Sequence, residues 1–191
     1  MKAQETLGKP VKGGELKAMM RGGVNNPWTI LTATREHLEA LVNLEKSCFS
    51  VPWSRKSFEA ELTGNRFSRV LMLSHPGRGQ EDHAVGYMCV WIIFEELRIL
   101  NLAIHPEFRR RGLASQLVNE AIQLGTEEGC CRAMLEVRAS NAAARKLYER
   151  FNFQEHAMRK FYYTNPTEDA ILMTLEPLGG CLQSGGRSAA E

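Results

Sequence analysis

The apolar run Ile99-Leu100-Asn101-Leu102-Ala103-Ile104 is followed closely by Arg109-Arg110-Arg111-Gly112-Leu113-Ala114. Leu113, Leu117, Ala121 and Leu124 then recur at helical spacing until Gly129, and a second β run, Arg132 to Val137, comes next. Strand, loop, helix and strand in that order form a crossover, which makes the two strands parallel neighbours in one sheet. Everything else in the chain must build onto the sheet this unit begins. The same stretch constrains chemistry. A helix start leaves about four backbone N–H groups without partners and carries partial positive charge, so it accepts anions. Arg109, Arg110 and Arg111 add charge, Gly112 lacks a Cβ, and Ala114 is small. The N–H groups of Arg110 to Ser115 would face a polyphosphate. A short glycine motif is a weak signal, and a basic loop that merely starts a helix is the alternative.

Five further β runs and three further helices can be placed. Trp28 to Leu31 is a short strand, and Thr34 caps a helix whose stripe is Leu38, Leu41, Val42, Leu44, Glu45 and Cys48. Pro52-Trp53 breaks the chain, Ser54 caps a second helix carrying Phe58 and Leu62, and Gly64 ends it. Arg69 to Ser74 is a strand, His75 to His83 a polar hairpin loop, and Ala84 to Phe94 a strand paired with Leu97 to Ile104. The near-continuous apolar character of those two runs predicts burial on both faces. Asn141 caps a helix through Phe151, and Phe153 to Tyr163 and Ala170 to Leu175 close the sheet. Strands that first meander and then alternate with helices give an α/β domain, its mixed sheet of about six to seven strands antiparallel in the first half and flanked by about four helices.

The glycine-rich, polar residues 1–27 are expected to form a flexible extension, 28–177 the domain, and 178–191 a disordered tail. A net charge of +2 excludes bulk electrostatic attraction to nucleic acid. The longest apolar run falls short of the roughly 20 residues a membrane span needs, and there is no secretory signal pattern. Five cysteines without paired spacing argue against a disulfide framework or zinc site, and the histidines show no metal-like spacing. A cytoplasmic address, with no metal, is expected by elimination.

Arg109-x-x-Gly112-x-Ala114 after a strand resembles the pyrophosphate-binding motif of the GNAT acetyltransferases. Leu135-Glu136-Val137-Arg138-Ala139-Ser140-Asn141-Ala142-Ala143-Ala144, with Leu147-Tyr148-Glu149 and Phe151-x-Phe153, resembles the RimI-type ribosomal-protein-alanine N-acetyltransferases of that superfamily. Pro52-Trp53-Ser54-x-Lys56-x-Phe58, Tyr162-Tyr163 and Glu168-Asp169-Ala170 match that branch too, so the likeness runs from about Thr29 to Pro177. The long central motif is far more specific than the glycine loop. The resemblance implies a GNAT fold whose fourth and fifth strands splay apart around the pantetheine arm of acetyl-CoA. It also implies transfer to the N-terminal alanine of small-subunit ribosomal protein eighteen. The terminal extensions lack family counterparts and the His75–His83 loop is longer than the family norm, which bears on the acceptor rather than on the chemistry.

Acyl transfer to an amine needs a proton acceptor for the amine, support for the carbonyl oxygen and a proton for the leaving thiolate. The resemblance gives the first task to Glu136 and the third to Tyr148, beside the cofactor's sulfur. On the residues alone, Glu136 reads equally as a solvated or arginine-paired strand carboxylate, and Tyr148 as a core tyrosine beside Leu147 and Phe151. A tyrosine keeps its proton at neutral pH and can hand it to a thiolate. Asn141 caps its helix and, by the resemblance, bonds the pantetheine arm. Leu102, Ala103 and Ile104 would offer strand backbone groups to the same arm and to the acetyl oxygen. Trp53 and Tyr162-Tyr163 read as core aromatics or, as the resemblance implies, as borders of the acceptor groove. Other readings are acetylation of other protein N-termini, lysines or a small amine, and a domain that binds acyl-CoA without turnover.

Overall fold

The structure, a computed structural model, describes residues 27–75 and 83–178. The expected extension up to residue 26, the centre of the 75–83 loop and the tail from residue 179 lie outside the described residues. Seven strands form one sheet in the order β1-β2-β3-β4-β5-β7-β6. They are β1 (Thr29–Thr32), β2 (Ser68–His75), β3 (His83–Ile93), β4 (Glu96–Ile104), β5 (Arg132–Arg138), β6 (Gln154–Thr164) and β7 (Thr167–Leu175). The helices are α1 (Leu38–Cys48), α2 (Arg55–Glu59), α3 (Leu113–Glu127) and α4 (Ala142–Glu149).

The local signals act as read. Ser54 Oγ accepts from the Ser57 amide at 3.1 Å, and α2 then widens into a π turn that ends at Gly64. Asn141 Oδ1 accepts from the Ala144 amide at 3.1 Å. Thr34 caps a 3-10 turn, Arg35–His37, that precedes α1. Gly129 stops α3 with φ +84°, in the left-handed region that glycine enters without penalty.

Alternation along β2 and β3 feeds two cores. Val70, Met72, Tyr87 and Cys89 pack with Leu38, Leu41 and Phe58 of α1 and α2. Leu71, Leu73, Met88 and Val90 pack on the other face with Leu113, Leu117, Leu135, Leu147 and Phe153. Burial on both faces, expected from the runs, follows from these two layers. Leu178 is buried in the second core and its amide donates to the Cys131 carbonyl at 2.7 Å, so the fold extends one residue past the expected boundary. Cys48, Cys89 and Cys130 are free, but Cys131 is disulfide-bonded, against the expectation drawn from spacing.

All neighbouring strands are antiparallel except β4 and β5. That parallel ladder runs only from Glu96↔Arg132 to Ile99↔Leu135. The β3–β4 register shifts there: Cys89 faces Asn101 and Val90 faces Ile99, leaving Leu100 as a bulge. A bulge adds twist and bends its strand. From Asn101 onward β4 keeps only β3, while Glu136 to Arg138 of β5 keep only β7. The splay expected from the resemblance is present, and it opens two strand edges toward one another.

Candidate functional site

A cleft of about 500 Å³ lies beyond the splay, lined by Leu102, Ala103 and Ile104 of β4, by Arg109, Arg110 and Gly112 to Ser115, and by Asn141. The sequence motif is thus brought together as expected, except that Arg111 leaves the cleft. Its guanidinium lies over the Phe108 ring, 5.3 Å from the centroid, and donates to the Glu107 carbonyl at 3.2 Å. Arg109 Nε donates to the Ile104 carbonyl at 3.0 Å, tying loop to strand. Gly112 is needed for its φ of +76°; a Cβ there would meet nothing within 4 Å. No side chain caps α3 at Gly112, and the first intrahelical acceptor bond is Gln116 N–H to Gly112. The preceding amides therefore face the cleft without helix partners, which suits an anion. Arg150, unremarked in the sequence, lines the same cleft and donates to Ser115 Oγ at 3.4 Å.

The His105 amide donates to Val85 of β3. Alternation therefore turns the backbone groups of Ala103 toward β3 and those of Leu102 and Ile104 toward the splay. Asn101 Oδ1 accepts from the Leu102 amide at 2.9 Å. Cys48 also lines this cleft; burial pushes its thiol pKa up and the Arg109 guanidinium opposes that shift.

A second cleft, about 430 Å³, holds Glu136 and Tyr148 together with Glu45, Trp53, Tyr162 and Tyr163. The two clefts share Phe49, Leu102, Asn141 and Ala144, so they meet at the splay. β5 buries Ala133, Leu135 and Val137, which sends Glu136 to the opposite face. There it is arginine-paired, one of the readings its residues left open. Oε1 lies 2.7 Å from Arg159, and Oε2 accepts from the Tyr162 hydroxyl at 2.7 Å. Tyr162 reaches it because the β6–β7 register slips between Arg159 and Tyr163.

Tyr148 is buried in the α3 core, edge-on to Phe153 with centroids 5.6 Å apart. It is a core tyrosine and a cleft tyrosine at once. Burial raises its pKa, so it keeps its proton at neutral pH. Arg138 lies over the Tyr163 ring at 4.1 Å and pairs with Glu168 at 3.2 Å. Glu168 Oε1 accepts from the Ser140 amide at 2.5 Å, and the Asp169 carboxylate accepts from the Phe161 amide at 2.8 Å. The Glu168-Asp169 pair thus pins the turn before α4 and the slipped part of β6.

Sequence reading passed over Glu45 as part of an apolar stripe. It is 1% exposed; Tyr87 donates to Oε2 at 2.6 Å, and the Trp53 amide and Asn101 Nδ2 donate to Oε1 at 3.0 and 3.3 Å. The signal was available: a charge at position i+4 from Leu41 and i+7 from Leu38, on the face that must be buried.

The profile of the acetyltransferase (GNAT) family matches residues 38–153. The [ribosomal protein bS18]-alanine N-acetyltransferase of Salmonella typhimurium is 36% identical over 152 residues, covering 78% of this chain and 97% of that protein. Its Escherichia coli K12 counterpart is 33% identical over 149 residues, covering 77% and 96%. The crystal structure of the ribosomal-protein-S18-alanine N-acetyltransferase from Escherichia coli superimposes with a TM-score of 0.74 at 30% identity, covering 83% of this chain and 99% of that one. On the extent of these matches and on its splayed sheet, the chain belongs to the GNAT acetyltransferase family.

Proposed function

We propose that this chain transfers the acetyl group of acetyl-CoA to the α-amine of a protein N-terminus, the N-terminal alanine of ribosomal protein bS18. The observation that carries the reading is the meeting of the two clefts at Leu102, Asn141 and Ala144, with anion-binding amides at one end and Glu136 with Tyr148 at the other. Relatives named for that acceptor match over most of their own length, which supports the choice of acceptor. Work on a ribosomal protein belongs in the cytoplasm, and no described helix is long and apolar enough to cross a membrane.

The first cleft fits a long thioester. The uncapped start of α3 would hold the pyrophosphate, with Arg110 and Arg150 beside it. The Leu102 amide is taken by Asn101 and the Ile104 carbonyl by Arg109, so the Leu102 carbonyl and the Ile104 amide would extend strand-like bonding to the pantetheine amides. Acetyl-CoA supplies an activated acyl group and a thiol leaving group. An N-terminal ammonium has a pKa near 8 and must lose a proton before it attacks. Glu136 takes that proton, through a water where Tyr162 now occupies Oε2. The amine nitrogen bonds to the carbonyl carbon, the carbon–sulfur bond breaks, and Tyr148 gives its proton to the departing thiolate. Solvent then reprotonates Tyr148 and receives the proton held by Glu136.

Mass spectrometry of a bS18 N-terminal peptide incubated with the protein and acetyl-CoA tests the acceptor. One acetyl group on the α-amine of alanine is expected. Acetylation confined to lysine side chains, or thioester binding without free thiol, would replace this reading.

A further inference from the structure

Glu45 is a buried carboxylate for which the chemistry above has no use. Its two oxygens receive three donors, all neutral: the Trp53 amide, the Tyr87 hydroxyl and Asn101 Nδ2. The directions are fixed. Asn101 Nδ2 also donates to the Tyr87 oxygen at 2.6 Å, so the Tyr87 proton goes to Glu45, and Asn101 Oδ1 is spent on the Leu102 amide. Every contact asks Glu45 to accept, and none offers an acceptor for the proton a carboxylic acid would carry, so the set suits a carboxylate. Among the described residues no lysine, arginine or histidine pairs with it. Arg109 is engaged by the Cys48 thiol and by the Ile104 carbonyl. A buried charge without a counter-ion costs stability, and neutral hydrogen bonds offset only part of that.

The charges around the second cleft show where a counter-ion belongs. Glu136 is matched by Arg159 and Arg138 by Glu168. Glu45 is the carboxylate on this cleft wall whose charge no described cation matches. In a cleft walled by Trp53, Tyr148 and Tyr162, field from such a charge is weakly screened. We infer that Glu45 is a specificity-determining residue, whose unmatched buried charge makes the acceptor cleft favour a cationic terminus, the ammonium, over a neutral one. It acts through the field and through the loop it holds at Trp53; Glu136 remains the group that takes the proton. The inference rests on the acceptor being an amine, as proposed above, and makes the protonated form the one that docks.

Calorimetry on the enzyme saturated with CoA tests it, with two peptides of one sequence ending in an α-amine or an α-hydroxyl, below the amine's pKa. The peptide is whichever acceptor the turnover assay selects, so an error in the acceptor appears there and not here. The parent is expected to bind the amine at least ten-fold more tightly than the hydroxyl. Glu45→Gln keeps the shape and removes the charge, and should cut that ratio at least five-fold while CoA affinity stays parental. If Glu45→Gln unfolds because the Tyr87 proton loses its acceptor, Glu45→Gln with Tyr87→Phe removes that proton and gives the same readout. A parental ratio, or equal weakening of both peptides, would overturn the inference and leave Glu45 as an anchor for the Trp53 loop.

Discussion

The two clefts that meet at the splay are built from different materials. The first is mostly backbone: the amides at the start of α3 and the open edge of β4, with Gly112 supplying a left-handed turn. Most of its parts lie close in sequence, between Leu102 and Ser115, with Asn141, Ala144 and Arg150 added from α4 and its two ends and Cys48 from the end of α1. The second is side chains from α1, β4, β5, α4 and β6, held by one another: Glu136 by Arg159 and Tyr162, Glu45 by Tyr87 and Asn101. A backbone site tolerates change in side chains and fails when its conformation changes. A side-chain site fails when one proton or charge is removed, even with the fold intact.

The sharpest break of that contrast is Glu136→Gln. The shape remains and the proton acceptor goes, so kcat/KM should fall on the order of 10²–10⁴-fold. The loss should shrink at high pH, where the amine arrives neutral. A pH–rate profile of parent and variant checks both, and parental activity at neutral pH would make Glu136 a partner of Arg159 and nothing more.

Gly112→Val tests the backbone side. A Cβ there meets nothing within 4 Å, so the harm comes from φ +76°, where a β-branched residue costs about 1–3 kcal/mol. The loop should leave its present conformation, weakening acetyl-CoA about 10–100-fold by calorimetry with the melting temperature little changed. Gly112→Ala should do less harm because alanine is not branched. Equal affinity for Gly112→Val and parent would remove the loop from the site.

The smallest effect concerns the clamp between the two regions. Hydrogen bonds from Ser140, and then Arg138, hold the Glu168 pKa below the usual carboxylate range. A lowered folded pKa means the contribution is complete above the unfolded value of about 4.3 and fades as pH falls through the folded value. The parent's melting temperature should therefore drop more steeply than that of Glu168→Gln between about pH 5 and 3, and the two should converge below. Parallel curves would mean that Glu168 does not hold the turn.

Contiguity decides what the sequence could reveal. The crossover was legible because an apolar run, a basic loop and a helical stripe follow one another, and the ends of α2 and α3 because Ser54 and Gly129 act locally. The first cleft was legible for the same reason, apart from Arg111, whose packing on Phe108 is a tertiary matter, and from Arg150 and Cys48, which reach it from other elements. The splay was not: Leu100 looks like any strand residue, and its bulge shows only against β3. Neither was the pairing of Glu136 with Arg159, which depends on a slip in the β6–β7 register. The burial of Glu45 was legible from its place on the α1 stripe, but its three donors were not, because they come from the loop before α2, from β3 and from β4.

The claim that side-chain protons do the chemistry while the backbone does the holding is tested most directly at Tyr148. Its ring packs on Phe153, so phenylalanine preserves the core, and loss of the hydroxyl should cost about 1 kcal/mol of stability at most. The decisive measurement is kcat of Tyr148→Phe relative to parent, under conditions where chemistry is rate-limiting, with acetyl-CoA and with an acetyl donor of more acidic thiol. A leaving group that needs less protonation should suffer less, so the account predicts a large loss with acetyl-CoA and a markedly smaller one with the acidic donor, at near-parental acetyl-CoA affinity. A full kcat, or the same loss with both donors, would contradict it and make Tyr148 a wall of the cleft with water as the proton source.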